Sequence, residues 1–147
     1  MPKKYHMKYL YLILIVVLIM ACSPSEKKIT EELKTEFIKT TNTFNNLYIT
    51  AGDCEERNSM IDENIVFFEN RKPFTYENIV EYCSYITPKN VFDVYTKRHL
   101  INVTAGFDYV DHYFINSEQD TVREISSRIW ELKSNKWVVT HMEVSRN

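Results

Sequence analysis

The stretch Arg128-Ile129-Trp130-Glu131-Leu132-Lys133-Ser134-Asn135-Lys136-Trp137-Val138-Val139-Thr140-His141-Met142-Glu143-Val144-Ser145 decides how this chain is read. Both halves are rich in β-branched and aromatic residues, which suit a pleated, half-buried surface. Ser134-Asn135 between them has the composition of a tight turn. The segment therefore reads as a hairpin, with one strand over Val122–Leu132 and the closing strand over Trp137–Ser145. Working outward, Ser117-Glu118-Gln119-Asp120 is a turn and Phe107–Asn116 another strand. Thr104-Ala105-Gly106 breaks the pattern, and Val91–Val103 is a long strand before it. Four antiparallel strands thus end the chain.

Upstream the periodicity changes. Ile29, Leu33, Phe37, Phe44, Leu47 and Tyr48 recur at helical spacing, predicting one amphipathic helix over 29–50. Thr30 is placed to cap it, Glu31 and Glu32 suit its first turn, and Gly52 supplies a stop. Residues 53–63 read as a short helix or turn, and Ile65–Phe68 as a strand. Arg71-Lys72-Pro73 reads as a turn, followed by a second helix capped by Thr75 and running through Ile79, Cys83 and Ile86. The fold class expected is α+β, with helices covering one face of a curved sheet.

Composition narrows function by exclusion. The 147 residues are 44% hydrophobic and 26% charged with only 2 Gly, which removes Gly-rich phosphate loops and disordered tails. There are 18 basic and 20 acidic side chains. Lys3, Lys4 and Lys8 lie in the first 21 residues, leaving 15 against 20 for the rest. A mildly acidic body lacks the footprint of a nucleic-acid binder. Lys3, Lys4 and Lys8 precede an apolar run, Leu10–Met20, too short to span a bilayer comfortably. It ends in Ile19-Met20-Ala21-Cys22, which resembles a bacterial lipoprotein signal. The resemblance implies lipidation of Cys22, a cell-envelope location and, with Ser23 beside it, an outer-membrane anchor facing the periplasm. The expected organisation is a signal peptide (1–21), a lipidated Cys and polar linker (22–28) and one domain (29–147). Cys54 and Cys83 remain; in an oxidising compartment they either form a disulfide or are two small buried hydrophobes.

The closing hairpin carries a spaced signature, R-x-W-x6-W-x3-H-x3-S, at Arg128, Trp130, Trp137, His141 and Ser145. It resembles the C-terminal signature of the nuclear transport factor 2-like (SnoaL-like) superfamily. The branch it most resembles contains the association domain of calcium/calmodulin-dependent protein kinase II. The resemblance implies a cone-shaped, curved antiparallel sheet wrapped around the long N-terminal helix, a cavity at the open end and a homodimer packed through the sheet. Where relatives often carry a further His, this chain has Glu143. The superfamily contains both enzymes and non-catalytic binding or assembly domains, so fold alone does not give function.

By that resemblance Arg128 lines the cavity, where a guanidinium offers a bidentate seat for a carboxylate. The alternative is an Arg neutralised by an internal acid such as Glu143 or Asp111. His112 stands where relatives place a pocket Arg. Period-two alternation puts His112 and Asp111 on opposite faces, and His112 is taken as the inner one unless a bulge intervenes. His141 and Glu143 share a face of the last strand, where a His could act as a base. Tyr48 and Tyr95, with Tyr109 and Tyr113, could supply phenols to a pocket. Trp130 and Trp137 are read as packing residues. No metal set and no cofactor motif appears.

Three functions follow. The first is a lipid-anchored module binding a small organic ligand, an organic acid being one option, without catalysis, through Arg128, His112, His141, Tyr48 and Tyr95. The second is an isomerase- or dehydratase-type enzyme using His141, His112 and Asp111. The third is an assembly module that dimerises through its sheet.

Overall fold

A computed structural model describes residues 30–100 and 102–147, the side chains of 95–100 excepted. The signal segment, Cys22 and the linker through residue 28 lie outside the described residues, as does the side chain of Tyr95.

Helix α1 (Glu31–Thr50) begins at Thr30, whose hydroxyl accepts from the Leu33 N–H. It buries Phe37, Thr41, Phe44 and Leu47. Its end differs from expectation. Ala51, not Gly52, takes the left-handed conformation (φ 51°). At Gly52 a Cβ would sit 2.8 Å from Leu47 Cδ2, so a larger residue there would push that side chain aside.

Helix α2 (Cys54–Asn58) leads into β1 (Ile61–Glu69), which starts four residues earlier than its apolar run suggests. The segment read as a turn is in fact a hairpin to a short strand, β2 (Lys72–Phe74), through Asn70 and Arg71, both at positive φ. Helix α3 (Tyr76–Cys83) opens on a capping box of Thr75 and Asn78. A disulfide joins Cys54 to Cys83, tying the start of α2 to the end of α3.

Strands β3 (Asn90–Leu100), β4 (Ala105–Ile115), β5 (Thr121–Lys133) and β6 (Lys136–Arg146) follow. Ser134 and Asn135 both have positive φ, as a two-residue hairpin turn requires. The sheet order is β2-β1-β6-β5-β4-β3. All neighbours are antiparallel except β1 and β6, which run parallel. The four closing strands are antiparallel as expected, and β1, whose pairing the sequence left open, adds a parallel neighbour to β6. Two strands so far apart in sequence are free of the hairpin constraint that forces antiparallel pairing.

The sheet is curved and unclosed, and its concave face receives α1. The Phe37 ring meets Trp130 and Trp137 edge-on at 6.2 and 4.9 Å between centroids, and Phe44 meets Trp130 at 5.4 Å. Both tryptophans are thus packing residues, buried with Ile61, Phe67, Val139 and Met142. Gly106 lets α1 this close: a Cβ there would lie 2.6 Å from the Phe37 ring.

Candidate functional site

Strict alternation along β4 turns Gly106, Asp108, Val110, His112 and Phe114 inward. On β5 it does the same for Glu124, Ser126, Arg128 and Trp130. The register sets Asp108 opposite Arg128 and His112 opposite Glu124. Glu124 in turn faces Arg146 on β6. Five charged or ionisable groups therefore stand in two clusters on the concave face.

The inner cluster centres on Asp108, which is fully buried. Its carboxylate accepts from Arg128 Nε at 3.0 Å, from Arg128 Nη2, and from Trp130 Nε1 at 2.6 Å. Arg128 Nη2 also donates to Asn45 Oδ1 on α1 at 2.6 Å. Two donors at i and i+2 on one strand face thus converge on one acid, which gives the R-x-W pair a structural reason. Arg128 does line the cavity. Its charge is nonetheless matched from within, and by Asp108 rather than by Glu143 or Asp111.

The outer cluster centres on Glu124, also fully buried. Lys89 Nζ donates to both its oxygens (2.9 and 2.8 Å), and Arg146 Nε donates to Oε2 at 2.5 Å. The Tyr48 hydroxyl accepts from Arg146 Nη2 at 2.8 Å and lies 3.5 Å from Glu124 Oε2. Glu69 is bonded to Arg146 Nη1. His112 is inside, 2% exposed, with Nε2 3.3 Å from Glu124 Oε1 but without an aligned hydrogen bond at either ring nitrogen. Burial alone would push the Glu124 carboxyl up. The neighbouring His112 and the charges of Lys89 and Arg146 outweigh it and hold the group well below the usual carboxylate range. Burial pulls Lys89 down to about 8, against the attraction of Glu124. Burial, reinforced by Glu124, pushes the Tyr48 phenol above its ordinary value.

The remaining candidates face the other way. Asp111 lies on the convex face, bonded to Arg123 by both carboxylate oxygens (3.0 and 2.6 Å). That hydrogen-bonded guanidinium holds its carboxyl below the ordinary range. Tyr109 and Tyr113 share the Asp111 parity and also lie outside the cavity. His141 is turned outward by a bulge. Trp137 and Val139 point inward, Thr140 is an extra residue in the pairing between Ile129 and Trp130, and inward positions resume at Met142. His141 and Glu143 do share a face, but it is the convex one. The triad His141, His112 and Asp111 is therefore not assembled, and His141 is not a cavity residue. Among the described residues no three His, Cys, Asp or Glu side chains converge as metal ligands would.

The cavity itself is narrow, about 40 Å³, and mainly apolar. Phe44 and Tyr48 of α1, Phe67, Met142 and Val144 of the sheet, and Ile79 and Tyr82 of α3 line it. Tyr48, Tyr82 and Ile86 also wall an open cleft of about 550 Å³ whose polar edge carries Lys89 and Arg146. Sequence reasoning missed Asp108, Glu124, Lys89, Arg146 and Arg57, the last of which lines the inner cavity.

No family model matches the chain, and no curated protein does. Solved structures do. The association domain of CaMKII from C. elegans is 21% identical, with a TM-score of 0.58 over 78% of this chain and 96% of that one. A putative association domain of that kinase from Xanthomonas campestris is 14% identical (TM-score 0.59, 76% and 86% covered). An NTF2-like protein of unknown function from Pseudomonas putida is 10% identical (TM-score 0.65, 80% and 89% covered). At these identities the likeness concerns architecture, and with the bent six-stranded sheet and its N-terminal helix it leads to one statement: the chain has the NTF2-like fold.

Proposed function

We propose that this protein is a lipid-anchored envelope protein, held in the outer membrane through Cys22 and facing the periplasm, whose cone cavity binds a small organic ligand without converting it. One observation carries the reading. The cavity is a preformed apolar slot that shares Tyr48, Tyr82 and Ile86 with a wider cleft, while the buried carboxylates near it, Asp108 and Glu124, are each taken up by internal cations. A general base needs a lone pair free to reach substrate. Glu124 and Asp108 have theirs occupied, Asp111 and His141 lie on the far side of the sheet, and His112, though its ring nitrogens are without an aligned hydrogen bond, lines neither the cavity nor the cleft. The Cys54–Cys83 disulfide supports the envelope location, since such bonds persist in oxidising compartments. Native mass spectrometry of the protein from its own host's envelope tests this reading. A co-purifying small organic molecule and a diacylglyceryl mass increment at Cys22 are expected. An unmodified Cys22 overturns the anchor, and failure to retain any small molecule overturns the ligand.

A second reading concerns assembly. Val66 and Ile129, 48% and 38% exposed, flank His141 on the convex face, in register with it from either side. Apolar side chains grouped on an uncovered sheet face suit a self-complementary contact. The likeness to association domains favours the same arrangement. Light scattering at micromolar concentration is expected to give a dimer, and a strict monomer removes this reading.

A further inference from the structure

Arg57 is 3% exposed and lines the inner cavity. It sits on α2, between the disulfide at Cys54 and the start of β1. Its Nη2 donates to Asn58 Oδ1 and to the Ile79 carbonyl, both at 3.2 Å. Both acceptors are neutral. Nε is buried with no hydrogen-bond partner. Arg128 and Arg146 each lie against a carboxylate, but among the described residues none lies within 4.0 Å of Arg57. A guanidinium taken out of water without a counter-ion is strongly disfavoured. Such a cation in a preformed apolar slot marks the place of an anion that the fold does not supply.

We propose that Arg57 is the anion seat of the cavity, and that the ligand is a small organic acid carrying a single carboxylate on an apolar body. This rests on the cavity-binding reading above and names its ligand class. A single unpaired cation calls for one negative charge. The surrounding Phe44, Ile79 and Met142 side chains call for carbon next to it. The inner space of about 40 Å³ takes the acid end and the first carbons, and the chain leaves past Tyr48, Tyr82 and Ile86 into the cleft. The planar guanidinium, with its Nε–H unpartnered, suits a carboxylate. Burial lowers the pKa of Arg57, consistent with a cation short of compensation.

The test uses the full chain, with propionate, butyrate and hexanoate each set against its primary amide, read by calorimetry and thermal shift. The acids are expected to bind at least about tenfold tighter than the amides. Arg57→Met is expected to abolish that preference and, by removing an uncompensated buried charge, to melt no lower than the parent without ligand. Arg57→Lys is expected to keep part of the preference. Equal binding of acid and amide, or an acid affinity unchanged in Arg57→Met, overturns the anion seat while leaving the cavity reading intact. Failure of acids and amides alike overturns both. Loss of folding in both variants assigns Arg57 to the scaffold and overturns the proposal.

Discussion

Removing the charge of Asp108 tests whether the concave face is held by internal ion pairing. In Asp108→Asn the side chain keeps its shape, and Oδ1 can still accept from Trp130 Nε1 and Arg128 Nε. The new amide nitrogen, however, faces Arg128 Nη2, so a donor meets a donor. Arg128, 2% exposed, is left with the neutral Asn45 as its other acceptor. An uncompensated buried charge of this kind costs about 3–5 kcal/mol. At roughly 4 °C per kcal/mol for a domain of this size, the melting temperature should fall by about 12–20 °C. Urea melts of the parent, Asp108→Asn, Arg128→Met and the double variant Asp108→Asn with Arg128→Met form the cycle. The double variant should recover most of the loss, because no stranded charge remains. A loss below about 1 kcal/mol in Asp108→Asn, or strictly additive single losses, would refute the argument that the pair is a mutually dependent unit.

Four further outcomes are expected. Replacing Cys54 and Cys83 together by Ser should cost about 3.6 kcal/mol from the loop of some 30 residues that the bond closes, read by urea melts with and without reductant. Because Glu124 titrates lower in the folded chain than in the unfolded one, its stabilisation is fully present above the unfolded value of 4.5 and drains away as pH falls below it. Melts from about pH 3 to 7 should show that loss, and Glu124→Gln should flatten the acid limb, whereas an unchanged limb would remove Glu124 as its source. Ala51→Gly should stabilise the chain by about 1 kcal/mol by relieving its left-handed backbone, and Gly106→Ala should destabilise it by about 1–3 kcal/mol against the Phe37 ring; melting temperatures moving in the opposite directions would contradict both.

Local chemistry made much of the scaffold legible. Thr30 and Thr75 mark helix starts, Ser134-Asn135 marks the hairpin, and the aromatic spacing of α1 marks its buried face. What escaped was set by distance in the chain. The parallel pairing of β1 with β6 leaves no local trace. The partner of Arg128 could have been found: placing His112 inward places Asp108, four residues earlier on the same strand, inward too. Glu124 follows from Arg128 by the same step on β5. His141 was misplaced because a single extra residue at Thr140 inverts the alternation beyond it, and nothing in the composition of Val138-Val139-Thr140 announces a bulge. Arg57 sits in a polar stretch where only the fold shows that it is enclosed.

The two outer strands of the sheet have a consequence for how copies can meet. At one border β2 is three residues long, and Pro73 at its middle has no amide hydrogen to offer. At the other, β3 is kinked by an irregularity between Val91 and Asp93, which leaves Phe92 splayed out at 59% exposure. The β2 border therefore presents no long row of free backbone donors and acceptors for a further strand to zip onto, whereas β3 keeps regular register with β4 from Asp93 to Leu100. Open-ended ribbon growth needs both borders of every copy, so the short, proline-bearing β2 border breaks the series, and strand pairing between crowded molecules is left to β3 against β3, which closes on itself and stops.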